Sequence, residues 1–467
     1  MTGPRPPQPP ADPSWRRPPS GRNGGGPAGQ EGEPAGHGGG PECEVAVVGG
    51  GPAGAVAALT LARAGRRVLV VDDRAPAAGV PSIGSASSRP TSSQPVPSRP
   101  APAQEVHSQK VPSQPTAYKI GETLPPAARP LLHDLGLWPG FRDGAHLRCT
   151  GTYAAWGAEE LHDHSHLFDP HGHGWHLDRA GFDAWLLDAA VAAGARLCRG
   201  SAVRYLDGAG ADPRKLLIRR EGTMTELRCS WVVDASGRRA VIGRHRAVRR
   251  KQDRLVAVSV LFAHRRADAQ NTQGTQDAQS TQGIQSTRNV RDRELRTLVE
   301  AVPDGWWYTA QVPAGRLVAH LTDPDLAAAE LRTPAGFLEH VARTRHVASR
   351  LSGYDLAGLP APSWTPAHGL RLTPAAGPGW LAVGDAALAF DPLSSQGILT
   401  ALHTGYRGAC ALDRLLRGRS GALAAYTAFL DGIANAYHRH HADSYGQERR
   451  WEDSTFWQRR QRPPDRG

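Results

Sequence analysis

The chain has 467 residues and a net charge of +11, and only 39% of it is hydrophobic because 53 glycines and 39 prolines gather in a few segments. Without those segments about 350 residues of ordinary globular composition remain, a length that suits two domains. Five scattered cysteines form no C-x-x-C pair, which argues against disulfides and zinc, and the charge sits on arginine rather than in a recognisable nucleic-acid-binding module.

Residues 1–41 are proline, glycine and arginine with almost no bulky apolar residue, and are expected to be a disordered tail. The tail has no apolar signal core, so a soluble, cytoplasmic protein is expected. Val45 to Val48 has the length of a buried strand, Ala53 to Ala64 that of a helix stopped by Gly65, and Val68 to Val71 that of a second strand closed by Asp72. Gly49, Gly51 and Gly54 stand between them in G-x-G-x-x-G spacing. The three serve a tight turn, a close backbone approach to a pyrophosphate, and close helix–strand packing. Asp72, 23 residues after Gly49, is placed to accept the ribose hydroxyls of an adenosine. Residues 45–62 carry no charge, but their glycines and proline fit this turn and not a membrane span.

A Ser/Pro/Gln-rich insert follows at 76–116. Lengthening a loop to that extent costs only roughly 1.8 kcal/mol. Structure resumes with YKIGETLPP and a helix over Ala127 to Leu135; 146–178 reads as strands and loops, dense in His and Trp. Arg179 to Ala193 is a helix with Phe182, Leu186, Leu187 and Val191 on one face. Strands are expected at 196–206 and 214–220, then one ending in the turn Asp234 to Gly237. The 254–325 stretch reads as sheet around a Gln/Thr-rich insert at 266–290, and 326–350 as helix. A strand then runs into Gly384-Asp385, followed by helices to about Leu416 and over about 421–445.

Three segments therefore run from strand into polar turn, at 45–54, 230–237 and 380–385. Ligands of open α/β sheets bind beyond such strand ends, so a ligand reached by all three must be long. The glycine-rich start, the DASG turn and the Gly-Asp motif resemble the p-hydroxybenzoate-hydroxylase-type flavoprotein superfamily. That resemblance implies FAD as cofactor. It places Gly49, Gly51, Ala53, Gly54 and Asp72 at the adenosine and pyrophosphate, with Arg179, Asp234 and Gly237 also touching the cofactor. Gly384 and Asp385 are assigned to the ribityl chain, and Pro392, Gln396, Gly397 and Ile398 to the flavin ring. The expected fold is α/β: a discontinuous Rossmann-like FAD-binding domain (43–75, 117–145, 179–250, 360–416) with an inserted mixed-sheet substrate domain (146–178, 251–359) and C-terminal helices in 417–467.

KIGETLPP, GWHLDRAGFDAWL, GWWYTAQVP, GDAALAFDPLSSQGI and the closing YGQERRWEDSTFWQRR resemble two narrower groups. One is the flavin-dependent halogenases. The other is the tryptophan-modifying flavoproteins that mature quinone-cofactor amine dehydrogenases and lysine or glycine oxidases. Halogenases use a lysine where Lys119 stands, but the tryptophan halogenases carry Glu where this chain has Ser394 and Thr where it has Gln396. The resemblance thus implies an FAD-dependent monooxygenase that hydroxylates an aromatic ring, a tryptophan of a partner polypeptide, with Lys119 as a catalytic candidate. A halogenase or a non-catalytic flavin-binding subunit are the alternatives. Trp306, Trp307 and Tyr308 are candidates for an aromatic substrate pocket. Reducing equivalents are expected from NAD(P)H or a separate flavin reductase. The histidines between 162 and 176 lack a specific ligand spacing, so no metal is expected. Arg238 to Arg254 holds eight basic residues and one acid, a solvated face or a docking surface for an acidic partner.

Overall fold

The computed structural model describes residues 43–74, 118–205, 214–264 and 293–461. The expected tail at 1–41 and the inserts at 76–116 and 266–290 lie outside these residues. The glycine-rich start forms β1 (Cys43–Val48), α1 (Pro52–Arg63) and β2 (Val68–Asp72). Pro52 opens α1, where its missing N–H costs nothing, and Gly65 turns the chain with φ +82°. Next come β3 (Thr123–Leu124), α2 (Ala128–Asp134), α3 (Trp138–Arg142), β4 (Leu147–Cys149), β5 (Gly151–Ala155), β6 (His162–Ser165) and β7 (Gly174–His176). Asp178 caps α4 (Arg179–Ala192) by accepting the Gly181 N–H at 3.2 Å. After it run β8 (Arg196–Arg199), β9 (Ser201–Tyr205), β10 (Arg214–Arg220) and β11 (Thr223–Asp234).

The second half contains β12 (Val248–Lys251), β13 (Val256–Phe262), β14 (Thr297–Val302), β15 (Gly305–Val312), β16 (Gly315–Thr322) and α5 (Pro334–Ala342). Short strands β17 (Ser363–Pro366), β18 (Leu370–Thr373), β19 (Ala376–Gly377), β20 (Trp380–Ala382) and β21 (Leu388–Ala389) lead into α6 (Gly397–Leu416), α7 (Ala422–Gln447) and α8 (Thr455–Gln461).

The first sheet runs β19-β20-β11-β1-β2-β8, with β20, β11, β1, β2 and β8 parallel. Parallel strands are covered on both faces, which is why β2 is buried at every position. Small residues let α1 lie close to its neighbours: a Cβ on Gly405 of α6 would stand 2.3 Å from the Ala53 carbonyl oxygen. The second sheet runs β17-β13-β16-β15-β14-β5-β6. Its period of two separates Trp306 from Trp307. Trp306 packs with Tyr445, Phe456 and Trp457 on one face, and Trp307 with Phe337 and Val318 on the other.

Two expectations are corrected. The segment 326–350 is not one helix: α5 spans only Pro334–Ala342, between 3-10 turns at Ala329–Arg332 and Ala348–Leu351. Pro334 cannot continue a helix from upstream. Downstream, the buried Glu300 carboxylate accepts the backbone N–H groups of Arg345, His346 and Val347 at 2.6, 2.9 and 3.0 Å, which no helix interior would leave free. The boundary at 360 also shifts, because β17 pairs with β13 of the second sheet.

Two buried histidines make this fold less stable in acid. Burial, chiefly, pushes His176 down to about 3 and His320 to about 4. Below about pH 6.5 the unfolded chain therefore takes up protons that the folded chain refuses, so stability is present at neutral pH and lost as the pH falls. Between pH 6.5 and 4 the loss is about 3 kcal/mol for each histidine. His320 lies flat on Trp307 at 4.6 Å, so His320→Phe keeps the stack. Melting followed from pH 7 to 4 should show a pH slope one proton smaller in that variant; an unchanged slope rejects His320 as a source.

Candidate cofactor site

The three strand ends meet. Register pairs Val48 with Asp234 and Asp234 with Ala382, so the turns after β1, β11 and β20 open on the same edge. They touch through atoms a side chain would displace. A Cβ on Gly49 would lie 2.4 Å from the Ala235 carbonyl oxygen, one on Gly54 1.9 Å from that of Gly49, and one on Gly384 2.6 Å from Ala53 Cβ. Gly49 and Gly384 also hold φ of +106° and +59°.

Alongside these tight approaches lies a track with room in it. No atom falls within 4 Å of where a Cβ would stand on Gly51, Gly237 or Gly397. Neither α1 nor α6 has a side-chain cap or an acidic residue in its first turn, so their first N–H groups remain for a ligand. Open space beside two uncapped helix starts fits an anionic, elongated group.

At the near end, the buried Asp72 carboxylate lies against Gly50, where a Cβ would be 2.3 Å from Oδ2. Arg74 donates to that carboxylate from Nε at 2.9 Å and Nη2 at 2.5 Å, and to the Gly50 carbonyl at 2.6 Å. A second buried acid, Asp183, collects three cations: Lys119 Nζ at 2.6 Å, Arg179 Nη2 at 3.2 Å and Arg74 Nη1 at 3.5 Å. Burial alone would raise the Asp183 carboxyl; Arg179, Lys119 and Arg74 overcome that and hold it low. Burial and the neighbouring Arg179 charge pull the half-exposed Lys119 down. Lys119 thus joins the Asp72 end of the track through Arg74, and Arg179 ties it to the next residues by donating to the Gly121 carbonyl.

In the middle, Asp234 does not face the track with free oxygens. Oδ1 accepts from Ser236 N and Oγ, and Oδ2 from the Ile242 and Gly243 N–H groups. Asp385 is more open and pairs with Arg238 Nε at 3.5 Å, joining the second turn to the third. Arg238 also donates to the carbonyls of His368 and Phe390, so the basic run 238–254 is not wholly a solvated face.

At the far end, Pro392 begins a short turn that leads through Gln396 to Gly397 and Ile398 at the start of α6. Ser395 holds φ +50°, an uncommon state for a residue with a side chain. Buried Asp391 keeps the turn in place: Oδ1 accepts the Leu393 N–H at 2.9 Å and Oδ2 the Tyr445 hydroxyl at 2.8 Å. Tyr437, His441 and Tyr445, four residues apart on α7, all meet Asp391. Trp306 Nε1 completes the link by donating to Tyr445 at 3.1 Å.

Of the aromatic candidates, Trp306 is buried in this brace and Trp307 lies on the opposite sheet face. Tyr308 stays partly buried, packed against the same core cluster as Trp306. Arg74, Asp183, Arg238 and Asp391 were not singled out from sequence. Asp183 had a local signal, standing four residues after Arg179 on a helix; Arg74 and Arg238 had none. Among the described residues no three His, Cys, Asp or Glu side chains gather as a metal site, and no helix is long and apolar enough to cross a membrane.

Comparison with known proteins agrees with this geometry. Residues 42–84 match the family model of the FAD binding domain. The chain carries an FAD-binding domain. It is 28% identical over 314 residues to the putative FAD-dependent oxidoreductase LodB of Marinomonas mediterranea, covering 66% of this chain and 77% of that protein. Its fold is similar to that of the flavin-dependent halogenase CmlS (TM-score 0.68, 22% identity, 90% of this chain and 68% of that one). It is likewise similar to the peptidyl tryptophan dihydroxylase QhpG, essential for tryptophylquinone cofactor biogenesis (TM-score 0.63, 22% identity, 91% and 80%). FAD is the cofactor. When bound it supplies two-electron and oxygen chemistry, and the chain supplies orientation, electrostatics and exclusion of water.

Proposed function

We propose that this flavoprotein is a monooxygenase that hydroxylates an aromatic ring, a tryptophan side chain carried by a partner polypeptide. The observation that carries this reading is the engagement of Lys119. Its ammonium is bound to Asp183 within the Arg74–Arg179 cluster at the Asp72 end of the track. A lysine held there serves the cofactor's charge rather than a hypohalous acid at the ring. Ser394 and Gln396, where tryptophan halogenases carry Glu and Thr, speak against that kind of halogenase. The fold shared with QhpG and the similarity to LodB support the hydroxylation reading.

The test supplies the full chain with FAD, O₂, a reduced nicotinamide or a flavin reductase, and a tryptophan-containing peptide, with and without chloride or bromide. Mass spectrometry should find one or two added oxygen atoms irrespective of halide. Lys119→Ala should weaken FAD binding by roughly tenfold, about 1.4 kcal/mol, and still hydroxylate once saturated with FAD. Product that contains halogen, and that disappears in Lys119→Ala with FAD affinity unchanged, would establish the halogenase instead.

A further inference from the structure

The segment that begins at Lys119 reaches both ends of the site. Lys119 points to the Asp72 end; three residues later Glu122 enters the interior, where it is fully buried. Its Oε2 accepts the Gly121 N–H at 2.9 Å, which fixes the carboxyl plane, and its Oε1 accepts the hydroxyl of Tyr308 from β15. Because Tyr308 donates to Glu122, Thr123 Oγ1 at 3.0 Å is left to donate to Tyr308. One lone pair of the phenol stays available. β3, which follows Glu122, packs against α6, whose first turn follows the Asp391 turn. Tyr308 shares its apolar cluster with Leu393 of that turn. A buried carboxyl and a phenol thus join the start of β3 to β15, and β3 packs on the helix that follows the expected flavin-ring turn.

We propose that Tyr308 takes the proton that the substrate ring gives up, and that Glu122 positions Tyr308 and receives the proton Tyr308 releases. The inference rests on the reading that an aromatic ring is modified here. It holds for oxygen or halogen transfer alike, since both replace a ring hydrogen. In hydroxylation a C–O bond forms with one atom of O₂, and the other atom leaves as water. The two electrons come from the reduced cofactor, recharged by a nicotinamide or reductase. The ring C–H bond breaks, its electron pair restores aromaticity, and its proton goes to Tyr308 Oη as the phenol's own proton passes to Glu122 Oε1.

The surroundings suit that direction. Burial pushes the Glu122 carboxyl up, against the Tyr308 and backbone hydrogen bonds and the Arg179 charge, so it is a stronger base than an exposed carboxylate. Burial first and Glu122 second push Tyr308 well above its ordinary value, so the resting proton belongs to the phenol. The other titratable or charged groups facing Glu122 are Tyr118, Cys149 and Arg179. The carboxylate form is the acceptor, so product formation should rise with pH through the raised Glu122 value.

The experiment uses full-length, FAD-loaded protein, reduced and then exposed to O₂, with the tryptophan-containing peptide bearing hydrogen or deuterium on its indole ring, with and without bromide. Wild type should form product with little isotope effect. Tyr308→Phe and Glu122→Gln should bind FAD as wild type does, form product roughly 10²–10³-fold more slowly, and show an isotope effect, because proton loss has become limiting. Glu122→Gln should lose the acid limb of the pH profile, and Glu122→Asp should recover part of the rate. Variants equal to wild type, or slowed with no isotope effect, overturn the relay and leave the aromatic reading standing. Wild type that modifies no ring removes that reading and the relay's task with it. Infrared difference spectra test the pair without turnover: a pH-dependent protonated-carboxyl band should vanish in Glu122→Gln and shift in Tyr308→Phe, and its absence from wild type overturns the proton exchange.

Discussion

Gly54→Ala is expected to unfold the first layer before it weakens cofactor binding, whereas Gly51→Val is expected to do the reverse. A Cβ on Gly54 would lie 1.9 Å from the Gly49 carbonyl oxygen and 3.0 Å from Ala235 Cβ, and backbone cannot move aside as a flexible side chain can. Relief requires α1 to shift away from β1 and from the turn after β11, loosening a helix that is buried along most of its length. The cost is about 3 kcal/mol or more. Gly51 has φ −69° and ψ −178°, which any residue adopts, and no atom within 4 Å of a Cβ. Valine there should lower the stability of the FAD-free protein by no more than about 1 kcal/mol, the difference between a glycine and a valine helix cap. It would stand in the space between the uncapped α1 start and the phosphates, and FAD affinity should fall roughly 100-fold, about 2.7 kcal/mol. Urea melts of the FAD-free proteins and fluorescence titration with FAD separate the two effects. Equal melting of Gly54→Ala and wild type would show that the α1 crossing is looser than these distances state.

Asp234→Ala is the second large effect, and it too should appear in stability first. Both carboxylate oxygens are taken up by donors within ten residues, at 3.1 and 2.6 Å from Ser236 and 2.8 Å each from Ile242 and Gly243. Alanine leaves buried N–H groups of Ile242 and Gly243 without an acceptor. Hydrogen bonds to charged groups contribute about 1.5–3 kcal/mol each, and non-additivity within one carboxylate brings the expected loss to roughly 4 kcal/mol. Asp234→Asn keeps one acceptor and should lose about half as much. The sequence pattern places Asp234 among the cofactor residues. In the structure it shapes the turn carrying Gly237 and Arg238, so FAD should still bind whatever fraction of the variant stays folded. Undiminished melting with lost FAD binding would instead make Asp234 a direct ligand.

Much of the first layer was legible because its signals are local. An apolar run, glycines at fixed spacing, a small-residue helix and an acid need only neighbours within about 30 residues to be read. The same holds for α4, with its Asp178 cap, and for α6 and α7. The helix expected over 326–350 breaks upstream at Pro334, a local signal, but downstream for a non-local reason: Glu300, in sequence far from 345–347, claims the three N–H groups a helix would need.

The chain of residues by itself determined the kind of cofactor and the three turns that meet at one sheet edge, since those depend on glycine conformation and strand–turn–helix order. Only the tertiary structure decided which charges answer one another. Lys119 belongs with Asp183, Arg238 with Asp385, Tyr445 with Asp391 and Tyr308 with Glu122, pairs separated by 54 to 186 positions. Electrostatics and hydrogen bonds act over a few ångströms of space and carry no imprint in sequence spacing, so the same KIGET segment reads as one motif in the chain and serves two ends of the site in the fold.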